Sequence, residues 1–212
     1  MAFVLNRPGG APGLSVACAV VPFQLIVMGI VNALGAVHVR QSIIANMAFP
    51  RMLLPIASTA TESIAFLAAL LLRPPMMAAD DIGPTPALGW LPVLLLVTWI
   101  FGTACAYPAA LFGLWFPQLY TFVISSVRAF FFVAPGLIAL DQIHGEARRL
   151  LPFNPLTGIF ESYRHVFLKG DAPAAWELLY PLGIAALVFA VFVPIYRREQ
   201  AHFAKISEAA LR

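Results

Sequence analysis

Long apolar runs separated by shorter polar segments are the main pattern along this chain. A helix that spans a membrane needs about 20 mostly apolar residues, because lipid offers no partner to backbone polar groups. Five runs reach this length, and each contains at most one charged residue. They cover residues 14–37, 53–72, 88–111, 119–140 and 176–196. The pattern therefore predicts an all-α membrane protein with about five transmembrane helices.

The longest connection, between the last two predicted spans, has a helical pattern of its own. Apolar residues recur there at three- and four-residue steps, as they do along one face of a helix. They are Leu156, Ile159, Phe160, Tyr163, Val166 and Phe167. Asn154 before Pro155 is a typical helix start, and Lys169-Gly170 is a typical helix end. We expect an amphipathic helix over about 154–168 that lies on the membrane, re-enters it or only links the spans.

The composition agrees with a membrane protein and excludes several other classes. Hydrophobic residues make up 61% of the chain and charged residues only 11%, against about 25% charged residues in a typical soluble domain. The net charge of +3 is small and its basic residues are dispersed, so no nucleic-acid partner is indicated. Cys18 and Cys105 lie in apolar runs and are expected to pack there. The length of 212 residues predicts one domain.

The positions of the basic residues orient the chain in the membrane. They divide equally between the two sides of a five-span chain. Those on the side of the carboxyl tail lie in shorter segments and closer to the ends of the spans, where the positive-inside effect acts. This favours a cytoplasmic carboxyl tail and an amino terminus on the opposite side.

Three stretches of the sequence resemble a known family. They read FPRMLLP at 49–55, SVRAFFFVAPG at 126–136 and LPFNPLTGIFESYR at 151–164. An aromatic, basic tail follows them. In this order and spacing they resemble the membrane permease subunit of ABC-2 type transporters that export polysaccharides such as O-antigen, capsule or teichoic acid. The resemblance extends over residues 14–208.

This resemblance implies a multi-pass permease of the bacterial cytoplasmic (inner) membrane that carries out no reaction. Two copies would form a channel for a lipid-linked glycan, such as a glycan on a polyprenyl pyrophosphate. A separate ATP-binding cassette ATPase subunit would bind and hydrolyse ATP, and this chain would bind no cofactor. The sequence agrees independently, because it contains no glycine-rich phosphate-binding loop ending in Gly-Lys-Ser/Thr.

The chain departs from the family pattern in two places. Such permeases usually have six spans preceded by a cytoplasmic amphipathic helix, whereas this sequence begins just before the family's second span. We therefore expect the first span to be missing, through a shortened gene product, a misplaced start or a true five-span form. The family often carries an Arg-Asp pair in the short loop after the third span present here, where this chain has Phe116-Pro117-Gln118.

Glu62 and Arg128 are the clearest candidates for function inside the membrane. A charge there costs about 2.5–3.5 kcal/mol on insertion scales, so each charge requires a partner or a role. Each lies nine residues beyond the predicted inner end of its span, which places both about 14 Å from the inner boundary. They are expected to form an ion pair, or Arg128 contacts the lipid pyrophosphate, or each has separate polar partners.

Two further regions become candidates through the resemblance. The segment 38–51 resembles the part of the family that contacts the ATPase, although a plain turn would also fit. Its candidate contact residues are Arg40, Asn46, Phe49 and Arg51.

The amphipathic helix corresponds to the outer gate, and its candidate gate or glycan-path residues are Asn154, Phe160, Tyr163, Arg164 and Phe167. The aromatic rings of this helix would stack on sugar faces or would only pack in the membrane. Glu161 and Arg164 lie three residues apart and could form an ion pair.

Two other functions remain as alternatives. A membrane-embedded enzyme acting on a lipid-linked glycan precursor normally shows clustered acidic or histidine residues. Here Asp80-Asp81 is the only acidic doublet, and the four histidines are dispersed. The sequence indicates neither a metal site nor a nucleophile with a nearby base. A secondary transporter should show two similar halves, and the sequence has no convincing internal repeat.

Overall fold

The computed structural model describes residues 12–39, 52–71, 77, 83, 85–134, 136, 140 and 147–210. All regular structure in these ranges is helical. The main helices are α1 (Pro12–Val39), α2 (Leu53–Leu71), α3 (Leu91–Trp115) and α4 (Tyr120–Val133), followed by the short α5 (Ala147–Leu150), α6 (Pro155–Arg164) and α7 (Ala175–Ala210). The predicted all-α class is confirmed.

Shorter helical turns join these elements. Among the described residues, 3₁₀ turns cover Pro86–Trp90, Pro117–Leu119 and Leu151–Phe153. A π-helical turn, His165–Lys169, continues α6 without a break. π-Helical turns inside helices often occur at functional sites. This turn therefore marks the α6 region as a candidate functional site.

Within the residues that the structure describes, four helical stretches are long and apolar enough to cross a membrane. They are Gly13–Ala36, Leu53–Leu71, Pro86–Trp115 and Ala175–Glu199. Each coincides with one of the predicted spans. Large apolar side chains such as Ile64, Leu71, Phe122 and Leu187 are exposed on the surface of the chain, as a protein surrounded by lipid requires. The chain is a multi-pass membrane protein.

The predicted fourth span is shorter in the structure than in the sequence analysis. The expectation was a helix over 119–140, but α4 has 14 residues and ends at Val133. Ala134 is extended, with φ −79° and ψ 157°, because a following proline disfavours helical geometry and supplies no N–H of its own. A helix of this length covers about 21 Å, which is less than the roughly 30 Å hydrocarbon core.

Helix α1 is the centre of the fold. It packs most extensively against α3 and α2, and it also contacts α6 and α4. At Gly113 of α3 the two backbones approach so closely that a side-chain carbon would fall on the carbonyl oxygen of Leu34. Small residues at such crossings are the usual device for close helix packing in membranes. Helix α7 completes the bundle by packing against α3 and α6.

Candidate functional site

Helix α6 begins and ends through local interactions that the sequence indicates. The side chain of Asn154 accepts a hydrogen bond from the backbone N–H of Leu156 at 3.0 Å, and Pro155 occupies the first helical position. The helical segment continues through the π turn to Lys169 and stops at Gly170, whose φ of +71° favours glycine.

The surroundings of α6 differ from those of a helix lying on a membrane surface. Every residue from Leu156 to Arg164 is buried, although the sequence pattern is that of a helix with one polar face. The polar face is covered because α1, α3 and α7 all contact the helix. The structure therefore shows a helix enclosed by the bundle, and the three expectations for this segment, which concern its position in the membrane, stay predictions.

Arg164 and Glu161 form the ion pair that their spacing predicts. Nη1 of Arg164 lies 2.8 Å from Oε1 of Glu161, and the two side chains are 1% and 5% exposed. Arg164 also donates to the carbonyl oxygens of Gly136 at 3.0 Å and Ser15 at 3.4 Å. Glu161 accepts a further hydrogen bond from the backbone N–H of Leu140 at 2.9 Å. The pair thus joins α6 to the first turn of α1 and to the segment after α4.

A second polar contact holds the α6 segment to the start of α7. Nδ1 of His165 lies 3.5 Å from Oε2 of the buried Glu177, and the same oxygen accepts a hydrogen bond from the N–H of Ala174 at 3.1 Å. Glu177 is not among the predicted site residues. It is the only charged residue in the last apolar run and lies in the first turn of α7, a combination that would have identified it.

The aromatic residues of this segment fill space inside the chain. The ring of Phe160 makes edge contacts with Phe23 and Phe131, at centroid distances of 6.2 and 6.1 Å. The hydroxyl of Tyr163 lies 3.1 Å from Oγ1 of Thr98. Phe160 and Tyr163 are fully buried and Phe167 is 4% exposed. In this structure the three rings pack inside the chain, and their place in an outer gate or glycan path stays a prediction.

Glu62 has a polar partner other than Arg128. Its Oε1 accepts a hydrogen bond from Nδ2 of Asn32 at 2.6 Å, which joins α2 to α1. Arg128 lies on the exposed face of α4. Within the described residues no ion pair joins the two, so a direct pair inside one chain is not formed. Glu62 thus has a polar partner on α1, and the roles predicted for Glu62 and Arg128 stay predictions.

Comparison with known proteins identifies relatives of the chain. No family model matches it. Two curated sequences, both named O-antigen export system permease protein RfbA, from Klebsiella pneumoniae, are each 26% identical to it over 190 residues. The aligned part covers 87% of this chain and 71% of each relative. The predicted resemblance to polysaccharide-export permeases is confirmed.

The predicted ATPase-contacting residues lie outside the part of the chain that the structure describes. They are Arg40, Asn46, Phe49 and Arg51. The structure does describe what holds the end of that segment. The carbonyl oxygen of Met52 accepts a hydrogen bond from the Tyr107 hydroxyl at 3.1 Å, and its sulfur lies 3.3 Å from Nε of Arg197. Helices α3 and α7 therefore fix the start of α2.

The short loop before α4, where such permeases often carry an Arg-Asp pair, is a 3₁₀ turn over Pro117–Leu119. The rings of Phe112 and Phe116 lie against each other there, with centroids 5.4 Å apart. In the part of the chain that the structure covers, no three His, Cys, Asp or Glu side chains come together as a metal site requires. Among the described residues, the α6 network and the Asn32–Glu62 pair are two places where charged side chains meet polar partners from another helix.

Proposed function

We propose that the chain is the permease subunit of an ABC transporter that exports a lipid-linked polysaccharide, such as O-antigen, capsule or a similar glycan, across the bacterial cytoplasmic membrane. The observation that carries the proposal is its similarity, over 87% of its length, to two proteins named as O-antigen export permeases. The multi-pass helical fold agrees with this role.

The partners follow from the same proposal. ATP binds to a separate ATP-binding cassette subunit, because the chain has no phosphate-binding loop of its own. Two copies of the permease form the channel, and the substrate is the lipid-linked glycan. The chain moves this substrate without chemical change and binds no cofactor.

The α6 region supports transport more than catalysis. Its charged side chains are used in packing: Arg164 is bonded to Glu161 and to two backbone carbonyls, and Glu177 caps the start of α7. A catalytic acid or base must reach its substrate, whereas the carboxylates of Glu161 and Glu177 are 5% or less exposed. A helix held inside the bundle by such a network is suited to closing the outer end of a channel.

Deletion of the gene in its native host, followed by complementation with the wild-type chain, tests the proposal. We expect loss of surface polysaccharide together with accumulation of the completed lipid-linked glycan inside the cell. Loss of the lipid-linked glycan itself would instead identify an enzyme acting on the precursor. Export that continues when the companion ATPase is inactivated would identify a secondary transporter. Purification in mild detergent should recover that ATPase with the chain.

A further inference from the structure

The Asn32–Glu62 hydrogen bond lies within a groove between α1 and α2. On one side of the pair is a cleft of about 220 Å³ lined by Asn32 together with Ser58, Thr61 and Tyr120. On the other side is a cleft of about 170 Å³ whose lining is mainly apolar, for example Leu25 and Phe66, and in which Glu62 and Gln24 are the polar residues. The two clefts follow each other along the helices, and the acid–amide pair stands between them.

The groove leads to α6. The ring of Phe66, which lines the second cleft, makes an edge contact with Tyr163 of α6 at a centroid distance of 6.3 Å. A molecule in the groove would therefore reach the packing that holds α6. The groove and the candidate gate are adjacent parts of one bundle.

The polar groups of the groove are not satisfied by lipid. A carboxylate has about four acceptor sites, and Asn32 is the hydrogen-bond donor that the structure places on Glu62. Asn32, Gln24 and Thr61 are exposed on the surface of the chain, and Glu62 is partly exposed. Polar groups that face hydrocarbon without partners are costly, and ionisable residues in spans almost always face a bundle interior or a water-filled cavity. The groove must therefore face water, a polar ligand or another protein surface.

The chemistry of the lining selects among polar ligands. The amides of Asn32 and Gln24 supply donors and acceptors, and Glu62 supplies an acceptor. The hydroxyls of Ser58 and Thr61 donate to backbone carbonyls one turn earlier, at 2.9 Å each, so their oxygens remain as acceptors. A carboxylate repels a phosphate or pyrophosphate group. The set fits uncharged, hydroxyl-rich groups.

We propose that the α1–α2 groove is part of a hydrated path through the membrane and that it contacts the sugar hydroxyl groups of the exported polymer, with Asn32 and Glu62 as the central contact. This inference rests on the proposed function and adds a location and a ligand chemistry to it. It assigns the pair to the sugar portion of the substrate and not to the lipid pyrophosphate.

Thiol labelling tests the hydrated path directly. In a background with Cys18 and Cys105 replaced by alanine, Thr61→Cys places a thiol in the groove while leaving the Asn32–Glu62 bond intact. Ile64→Cys, one turn further along α2 and 72% exposed on an apolar surface, is the matched control. A small charged thiol reagent applied from both sides should label Thr61→Cys at least about tenfold faster than Ile64→Cys, because such a reagent is excluded from hydrocarbon.

The ligand is tested by the same variants in cells that do and do not synthesise the polysaccharide. Polymer in the groove should slow the labelling of Thr61→Cys and leave that of Ile64→Cys unchanged. Equal labelling of the two sites would overturn the hydrated path. Disulfide cross-linking of Thr61→Cys between two chains would also overturn it, because it would show that a second copy closes the groove. A labelling rate of Thr61→Cys that is the same with and without the polysaccharide would overturn the sugar contact.

Export by the wild-type chain separates this inference from the proposed function. If the wild-type chain fails to restore surface polysaccharide, the proposed function is wrong whatever the labelling shows. If it restores export and Thr61→Cys is not labelled, the proposed function stands and the groove assignment fails. Glu62→Gln, which keeps an acceptor for Asn32, should retain export far better than Glu62→Leu at equal protein level.

Discussion

Arg164 and Glu161 form an ion pair that is almost completely removed from solvent, with Nη1 of Arg164 2.8 Å from Oε1 of Glu161. Burial of two charges is favourable only when further hydrogen bonds satisfy their remaining polar atoms. Here the carbonyls of Ser15 and Gly136 and the N–H of Leu140 provide those bonds. The pair therefore fixes α6 at the meeting point of three chain segments that are far apart in sequence.

Removing only the arginine should destabilise the protein strongly. Arg164→Met leaves the carboxylate of Glu161 buried without its counter-charge, at a cost of about 3–5 kcal/mol. The double variant Glu161→Gln/Arg164→Met removes both charges and should recover part of that loss. Thermal unfolding of the purified protein in detergent measures both effects. Arg149→Met, which alters an exposed arginine, is the control; equal melting of the single and double variants would contradict the pairing.

Tyr163 should tolerate the loss of its hydroxyl but not of its ring. Tyr163→Phe removes a buried hydrogen bond to Thr98, which still donates to the carbonyl of Leu94, so the cost should be about 1 kcal/mol. Tyr163→Ala removes a fully buried ring and should cost about 3–5 kcal/mol. Protein level and export should fall together in Tyr163→Ala. A variant that folds normally but has lost export would instead show that the ring contacts the substrate.

Features set by neighbouring residues were predictable from the sequence. The start of α6 depends on Asn154 and Pro155 and its end on Gly170, and each acts within one turn of the helix. The Glu161–Arg164 pair also follows from a spacing of three residues on one helix. Four of the predicted spans coincide with long apolar helices because apolar run length is itself the physical requirement for crossing a membrane.

The early end of α4 was missed although it is a local feature. The apolar run at 119–140 is long enough to span, but Pro135, which the sequence contains, ends the helix at Val133. Features set by packing between distant segments, in contrast, were not predictable. The partner of Glu62 is 30 residues away on another helix, and no periodicity within α2 reveals it. The burial of the polar side of α6 likewise depends on α1, α3 and α7 surrounding it, which a single-helix pattern does not contain.

The crossing of α1 and α3 should be sensitive to a single methyl group. Gly113→Ala places a side-chain carbon on the carbonyl oxygen of Leu34, so the helices must separate. Overpacking of this kind typically costs about 1–3 kcal/mol. Gly183→Ala is the matched control, because it is also in a helix but has open space around it. That change should be neutral or stabilising by up to about 1 kcal/mol, and unchanged melting of Gly113→Ala would refute the close crossing.

The choice of Asn32 over Arg128 as the partner of Glu62 can be tested by exchanging charge and amide. Asn32→Asp places two carboxylates at a hydrogen-bond distance of 2.6 Å and should lower the stability by about 1–3 kcal/mol, the cost of a polar group that has lost its partner. The double variant Asn32→Asp/Glu62→Gln restores one amide and one carboxylate in the opposite orientation and should recover stability and export.

The exchange Glu62→Arg/Arg128→Glu provides the opposing test. It retains both charges but gives Asn32 a guanidinium neighbour, so it should not recover what Glu62→Arg loses. Thermal unfolding in detergent and surface polysaccharide in complemented cells are the two measurements for all four variants. Rescue by the charge exchange, without rescue by the amide exchange, would show that Glu62 pairs with Arg128 in the assembled transporter, across two copies of the chain. The amide pair would then be a feature of the isolated chain alone.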